Sequence, residues 1–316
     1  MHQTKPLERL EGTAQSVTTF QELDSKYGMK LPALFHLCHE PLTEVLTREF
    51  DFFGMARRGI APITYYLELS STGIPLALGR PLTLNFSVEL FRANRLPVDG
   101  VGTPQQRLLL DQNVTVNGFR RSGSDQDLGF DDGTGEPVVG GAFRLIQIFT
   151  RPMAPPGQRQ VTEAPPEFGK LAERSFPTPL MMPPELWLVP EGYEPIAGPP
   201  AQQTQRVWGL GNTDINNHVT VTEYLRALEH HAATLLHLAG EPVRLHRMTR
   251  LRCIFKRPSL AGDVVNLEGD LYRRGGTTRL HAGIFKQQAD GALEADPSVT
   301  GCVEGVFENG ENTALA

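Results

Sequence analysis

The chain of 316 residues holds only three cysteines, no surplus of positive charge and no long apolar run. Cys38, Cys253 and Cys302 stand far apart and form no Cys-x-x-Cys pair, which argues against a zinc site or a disulfide framework and fits a reducing cytoplasm. A net charge of −6 removes the electrostatic reason to expect a nucleic-acid partner, because such domains neutralise phosphates with a basic surplus. No window approaches the ~18 apolar residues of a membrane span, and the opening MHQTKPLERLEGTAQS lacks the basic start and apolar run of a secretory signal. The expectation is a soluble, cytoplasmic protein with no membrane partner.

What is present is ordinary for a globular chain: 40% hydrophobic and 21% charged residues. Its length exceeds the usual single-domain range of ~100–200 residues, so two modules are expected. The main composition shift runs from Pro152 to about Gln205, where about half of the 25 prolines fall. Proline denies the backbone donors that helix interiors and central strands require. Residues 152–205 therefore read as a crossing linker between an N-terminal half, 1–151, and a C-terminal half, 206–316. Leu180, Met181, Met182, Trp187 and Leu188 make it too apolar for a free tether.

Each half shows a helix followed by strands, a weak internal repeat. In the second half Leu225, Leu228, Ala232, Leu235 and Leu236 recur at steps of three and four, and Gly240 with Pro242 supplies a stop, which predicts a helix over about 220–239. Four strand-length runs follow, LHRMTRLRCIFKRP, GDVVNLEGDLYRRG, TTRLHAGIFKQQ and SVTGCVEGVFE, and read as an antiparallel meander. In the first half GIAPITYYLELSSTG is assigned as the helix, with strands at PLTLNFSVELFRAN, QQRLLLDQNVTVNG and PVVGGAFRLIQIFTRP. A long apolar helix beside several strands hides both apolar faces most simply when the sheet curls around the helix. The expected class is α+β, a double hot dog with two antiparallel sheets, each wrapped around a long central helix.

The densest polar run, TDINNHV, stands directly before the second helix, with Tyr224 shortly after it. Asp214, Asn216, His218, Val219 and Tyr224 resemble the D-x-N-x-H-V-N-N pattern and following Tyr of the acyl-ACP thioesterases of the hot-dog superfamily. Thr220 and Val221 replace that pattern's closing Asn pair. The resemblance implies two hot-dog halves, with Asp214, Asn216 and His218 as the reacting set and the first half shaping the acyl site. It implies acyl-ACP or acyl-CoA as partner, no cofactor or metal of the protein's own, and a monomer or homo-oligomer. The family's strand Glu beside a Cys would fall at Arg252, next to Cys253, so that role does not transfer.

The physical chemistry of the run points the same way. A helix start presents unpaired N–H groups and the positive end of its dipole, which suit the oxyanion formed when a thioester carbonyl is attacked. Asp214 is expected to act as base, Asn216 and His218 to position water and thioester, and the N–H groups near Val219 and Thr220 to serve as oxyanion donors. The plainer alternative is that the polar residues end a strand and that Thr220 with Glu223 forms a capping box. Asp51, Arg57, Tyr65 and Tyr66 in the first half, and Tyr224 in the second, are the candidates for substrate contact. His230, His231 and His237 read as packing or surface residues rather than metal ligands. Arg250, Arg252 and Lys256, with Arg244, Arg247 and Arg257 nearby, form either a solvated strand face or a dock for an acidic carrier or a CoA phosphate. Acyl transfer, hydration or dehydration of a thioester-bound chain, and simple acyl-thioester binding are the competing functions.

Overall fold

The computed structural model describes residues 9–95, 105–122, 135–163, 172–176, 186, 188–196, 204–214 and 217–307. Its contacts divide the chain into two compact units, one of Met1–Met29, Leu34–Leu67 and Ile74–Met182, the other of Lys30–Ala33, Glu68–Gly73 and Pro183–Ala316. The change after Met182 falls inside the proline-rich stretch.

The first unit holds strand β1 (Arg9–Val17), helix α1 (Leu31–Glu49) from Leu34 onward, helix α2 (Phe52–Arg57), strand β2 (Ala61–Ser71) as far as Leu67, and strands β3 (Pro81–Arg95), β4 (Gln105–Phe119), β5 (Pro137–Thr150) and β6 (Ala172–Phe176). Strand order is β1-β3-β4-β5-β2, with β6 parallel to the end of β3. The long helix of this half is therefore α1, and residues 61–71, expected as helix, are strand β2. The correction has a clear cause. Ile63, Thr64, Tyr65 and Tyr66 are β-branched or aromatic and suit a pleated surface. In α1, Leu31, Leu34, Phe35, Cys38, Leu42 and Leu46 are buried at helical spacing. Pro41 lies inside that helix and supplies no N–H to its ladder, which disguises the pattern. Phe35 packs with its ring 6.1 Å from Phe143 of β5.

The second unit holds two short strands, β7 (Glu194–Pro195) and β8 (Thr204–Val207), helix α3 (Val221–Leu238), and β9 (His246–Phe255), β10 (Val264–Arg274), β11 (Thr277–Lys286) and β12 (Val299–Phe307). The helix and four long strands match the sequence reading. The strands do not form a simple meander, however: the order is β9-β12-β11-β10, so β9 pairs with β12 rather than with β10. Pairing is antiparallel throughout, and β7 and β8 both add to β10. Among the described residues no helix is long and apolar enough to cross a membrane.

Leu225, Leu228, Ala232 and Leu236 of α3 are buried against the sheet. Leu228 sits so close to Gly301 that a Cβ there would fall 2.7 Å from its Cδ1. Gly301 pairs with Cys253 across β9 and β12, so Cys253 lies on the helix side of the ladder. Burial raises its thiol pKa, as it does for Cys38. Neither is a ready nucleophile.

His231, on the buried side of α3, bonds through Nδ1 to the Thr204 hydroxyl at 3.0 Å. Burial, then the neighbouring His230, lowers its pKa to about 4. Below its ordinary value of 6.5 the unfolded chain takes up a proton that the folded chain refuses. Stability linked to His231 is therefore complete above pH 6.5 and drains as pH falls towards 4, by up to ~1.4 kcal/mol per pH unit. The melting temperature is expected to fall between pH 7 and 5, and His231→Gln is expected to flatten that slope.

Candidate functional site

The run from Asn212 to Glu223 forms a closed turn that leads directly into α3. Thr213 and Val219 make an isolated antiparallel bridge, and His218 makes another with Leu260. Inside the turn the Asp214 N–H donates to the His218 carbonyl (2.9 Å) and the Asn217 N–H to the Asp214 carbonyl (3.0 Å). Asn217 takes φ of 61°, the left-handed region that Asn tolerates better than most residues. The Asp214 carboxylate accepts from the His218 N–H at 3.1 Å, so one of its oxygens helps to close the turn. Both Asp214 and His218 are exposed side chains. Asn216 lies outside the described residues.

The floor of the turn is aromatic. Trp208 is wholly buried and meets Tyr224 edge-on with ring centroids 5.4 Å apart, and Tyr224 meets Phe255 at 5.7 Å. The Ser259 N–H donates to the Tyr224 hydroxyl at 2.7 Å. Burial raises the pKa of this phenol, the Ser259 bonds oppose the rise, and Asp263 adds to it. Tyr224 is thus a strut between α3 and the 259–263 turn, not a surface contact for substrate.

The first N–H groups after the motif are already engaged. The Val219 N–H donates to the Ser259 carbonyl and the Thr220 N–H to the Asn212 carbonyl, both at 2.9 Å. Neither is an open oxyanion donor here. The anticipated capping box also differs. Thr220 is the N-cap of α3 but makes no side-chain capping bond, and Glu223 offers only its N–H back to the Thr220 carbonyl (3.1 Å). Its carboxylate, on a side chain 11% exposed, instead accepts from Arg206 Nη2 (3.0 Å), Asn212 Nδ2 (2.8 Å) and Arg226 Nη1 (2.6 Å). The sequence reading assigned Glu223 only to a cap. A carboxylate flanked by Thr222, Tyr224 and Leu225 was the available sign that it would be buried.

The first-half candidates are not gathered in this way. Asp51 is the N-cap of the short helix α2, accepting from the Gly54 N–H at 2.8 Å, and is exposed, as is Arg57. Tyr65 and Tyr66 lie on strand β2 rather than in a helix, half-buried and buried respectively. His230 and His237 are exposed. Among the described residues no group of three or more His, Cys, Asp or Glu gathers as a metal site.

The basic strand is largely neutralised. Arg250 pairs with Glu68, its Nε at 2.8 Å, and approaches Glu304. Arg252 and Arg279, each with a side chain 5% exposed, share Glu304 Oε1 at 2.8 and 2.9 Å. Arg257 pairs with Glu294, and Arg247 donates to the Gly73 carbonyl. Buried arginines need such partners because an uncompensated charge there is costly. Of the basic residues named from sequence, Arg244 and Lys256 are exposed, alongside the ion-paired Arg257.

No protein-family model and no curated protein matches the sequence. Solved structures do match its fold. A putative oleoyl thioesterase from Lactobacillus plantarum aligns over 96% of this chain and 97% of its own with a TM-score of 0.60 at 11% identity. A 12:0-ACP thioesterase from Umbellularia californica aligns over 94% of both chains (TM-score 0.58, 10% identity). An acyl-ACP thioesterase from Bacteroides thetaiotaomicron aligns over 94% of this chain and 98% of its own (TM-score 0.53, 14% identity). Similarity along nearly the whole chain shows a fold shared with these three proteins, and at 10–14% identity it shows the fold alone.

Proposed function

We propose that the chain hydrolyses an acyl thioester carried on acyl carrier protein or coenzyme A. The observation that carries this reading is the place of Asp214 and His218: they close a turn at the start of the central helix of the second half, in a chain sharing its fold with thioesterases. The Asp214 carboxylate takes the proton of a water as it attacks the thioester carbonyl. His218 and Asn216 hold the water and the sulfur. With the Val219 and Thr220 N–H groups occupied, the developing oxyanion falls to the start of α3 at Val221 and to the positive end of its dipole. One well-placed donor of this kind lowers a barrier by about 3–4 kcal/mol.

The two halves, 1–151 and 206–316 with the linker 152–205 between, are each one hot-dog unit built on α1 or α3. The first half shapes the acyl site. A single chain then supplies what smaller hot-dog proteins obtain by pairing. Monomer and homo-oligomer are both compatible with this, as is a place in fatty-acid or polyketide metabolism in the cytoplasm. The test is free-thiol release from short, medium and long acyl-CoA and acyl-ACP. Steady release from one or more of them supports hydrolysis. Consumption of thioester only when a second thiol or alcohol is supplied would move the reading to acyl transfer.

A further inference from the structure

The turn before α3 has a twin in the same chain. Before α1, Leu23 and Met29 form an isolated antiparallel bridge, as Thr213 and Val219 do. The Asp24 N–H donates to the Gly28 carbonyl (2.8 Å) and the Tyr27 N–H to the Asp24 carbonyl (3.1 Å), as Asp214 and Asn217 do in the second turn. The Asp24 carboxylate accepts from the Lys26 and Gly28 N–H groups at 2.8 and 2.9 Å. Tyr27 takes φ of 63°, in the place of Asn217 at 61°. The correspondence reaches further back. The Thr19 N–H donates to the Glu22 side chain at 2.6 Å, just as the Gly209 N–H donates to the Asn212 side chain at 2.8 Å. The described residues of the two turns correspond in order, at one constant offset, up to the helix starts at Leu31 and Val221.

This duplication separates what the backbone needs from what is additional. The Asp, the left-handed residue and the bridge occur in both copies, so they are the means of closing the turn. Gly28 stands where the second copy has His218, and Ala33 where it has Glu223. The first turn therefore reaches the same backbone with a methyl group in the place of a carboxylate. Burying a carboxylate costs several kcal/mol unless its acceptors are filled, and Glu223 draws in Arg206, Asn212 and Arg226 to fill them. The side chain of Glu22, the counterpart of Asn212, has no N–H to offer such a group. Closing the turn does not explain this arrangement.

We infer that Glu223 is a positioning residue for the second turn. Its carboxylate ties Asn212, which precedes the turn, to the first turn of α3, which follows it. Asn212 in turn accepts the Thr220 N–H through its carbonyl. The segment carrying Asp214 and His218 is thus held at both ends. The catalytic consequence rests on the thioesterase reading above; the mechanical one does not.

The experiment is Glu223→Gln, with Glu223→Asp as the conservative partner, read three ways: kinetics, melting temperature and residue-level amide hydrogen exchange. In Glu223→Gln kcat is expected to fall about tenfold or more with KM within about threefold, since placement rather than binding is lost. The Val219 and Thr220 amides are expected to exchange at least ~10-fold faster, while the Asp24 and Gly28 amides of the first turn keep their rates as an internal reference. Glu223→Asp is expected to recover part of both. Unchanged exchange at Val219 and Thr220 would overturn the inference, as would faster exchange in both turns alike with a collapsed melting temperature. If the wild type releases no thiol from any thioester, the hydrolase reading falls, and the exchange result alone still decides the positioning role.

Discussion

His218→Ala is expected to lower kcat/KM for the preferred thioester by at least ~100-fold, the usual scale for losing a positioned acid–base or oxyanion group. The melting temperature is expected to hold. The imidazole is exposed, and the turn around it is closed by backbone groups and by Asp214, as the bonds of His218 N–H and carbonyl show. The twin turn closes with Gly28 at this place, so the backbone has no need of the ring. Activity measured beside thermal unfolding checks both halves of the expectation. A variant that loses activity and stability together would assign His218 to the fold instead.

The largest effect on stability is expected where α3 meets the sheet. Leu228 is wholly buried over Gly301. Leu228→Ala is expected to cost about 2–5 kcal/mol, from lost burial and from the cavity left behind. Gly301→Ala brings a methyl group to 2.7 Å from Leu228 Cδ1 and is expected to destabilise by about 1–3 kcal/mol through overpacking. In the double variant the new methyl occupies part of the space the leucine vacates. Its loss is therefore expected to be smaller than the two single losses taken together. Denaturant unfolding of the four proteins gives the coupling. Plain additivity would mean that the two side chains do not share that space.

These two expectations also mark what the sequence made legible. In the second half the three-and-four spacing from Leu225 to Leu236 is clean, and α3 forms where it predicts. The first-half helix is hidden in the sequence because Pro41, a residue that signals a helix end, stands inside α1. Tyr65 and Tyr66 then drew the assignment to a stretch whose β-branched and aromatic side chains belong in a strand. With the helix misplaced, Asp51 became the first-half acidic candidate, although the turn that corresponds to the second one carries Asp24. The twin turn shares little residue identity with the second one. Asp24 and Asp214 are common to both, but Tyr27 and Asn217 are alike only in their backbone angle. Likewise Glu223 reads as a capping glutamate in one dimension and shows its three partners only once β8, Asn212 and α3 meet. The pairing of β9 with β12 was hidden for a different reason: strand-length runs fix the existence of strands but not their order.

Asp214 is best probed as Asn rather than Ala, because an amide oxygen still accepts the His218 N–H and keeps the turn closed while the base is gone. Asp24→Asn makes the same change in the twin turn. The most direct measurement is single-turnover thiol release from the preferred thioester by the wild type and by these two variants. Hydrolysis at the second turn predicts that Asp214→Asn loses nearly all release while Asp24→Asn keeps the wild-type rate. Equal rates in the two variants, or wild-type release from Asp214→Asn, would contradict it.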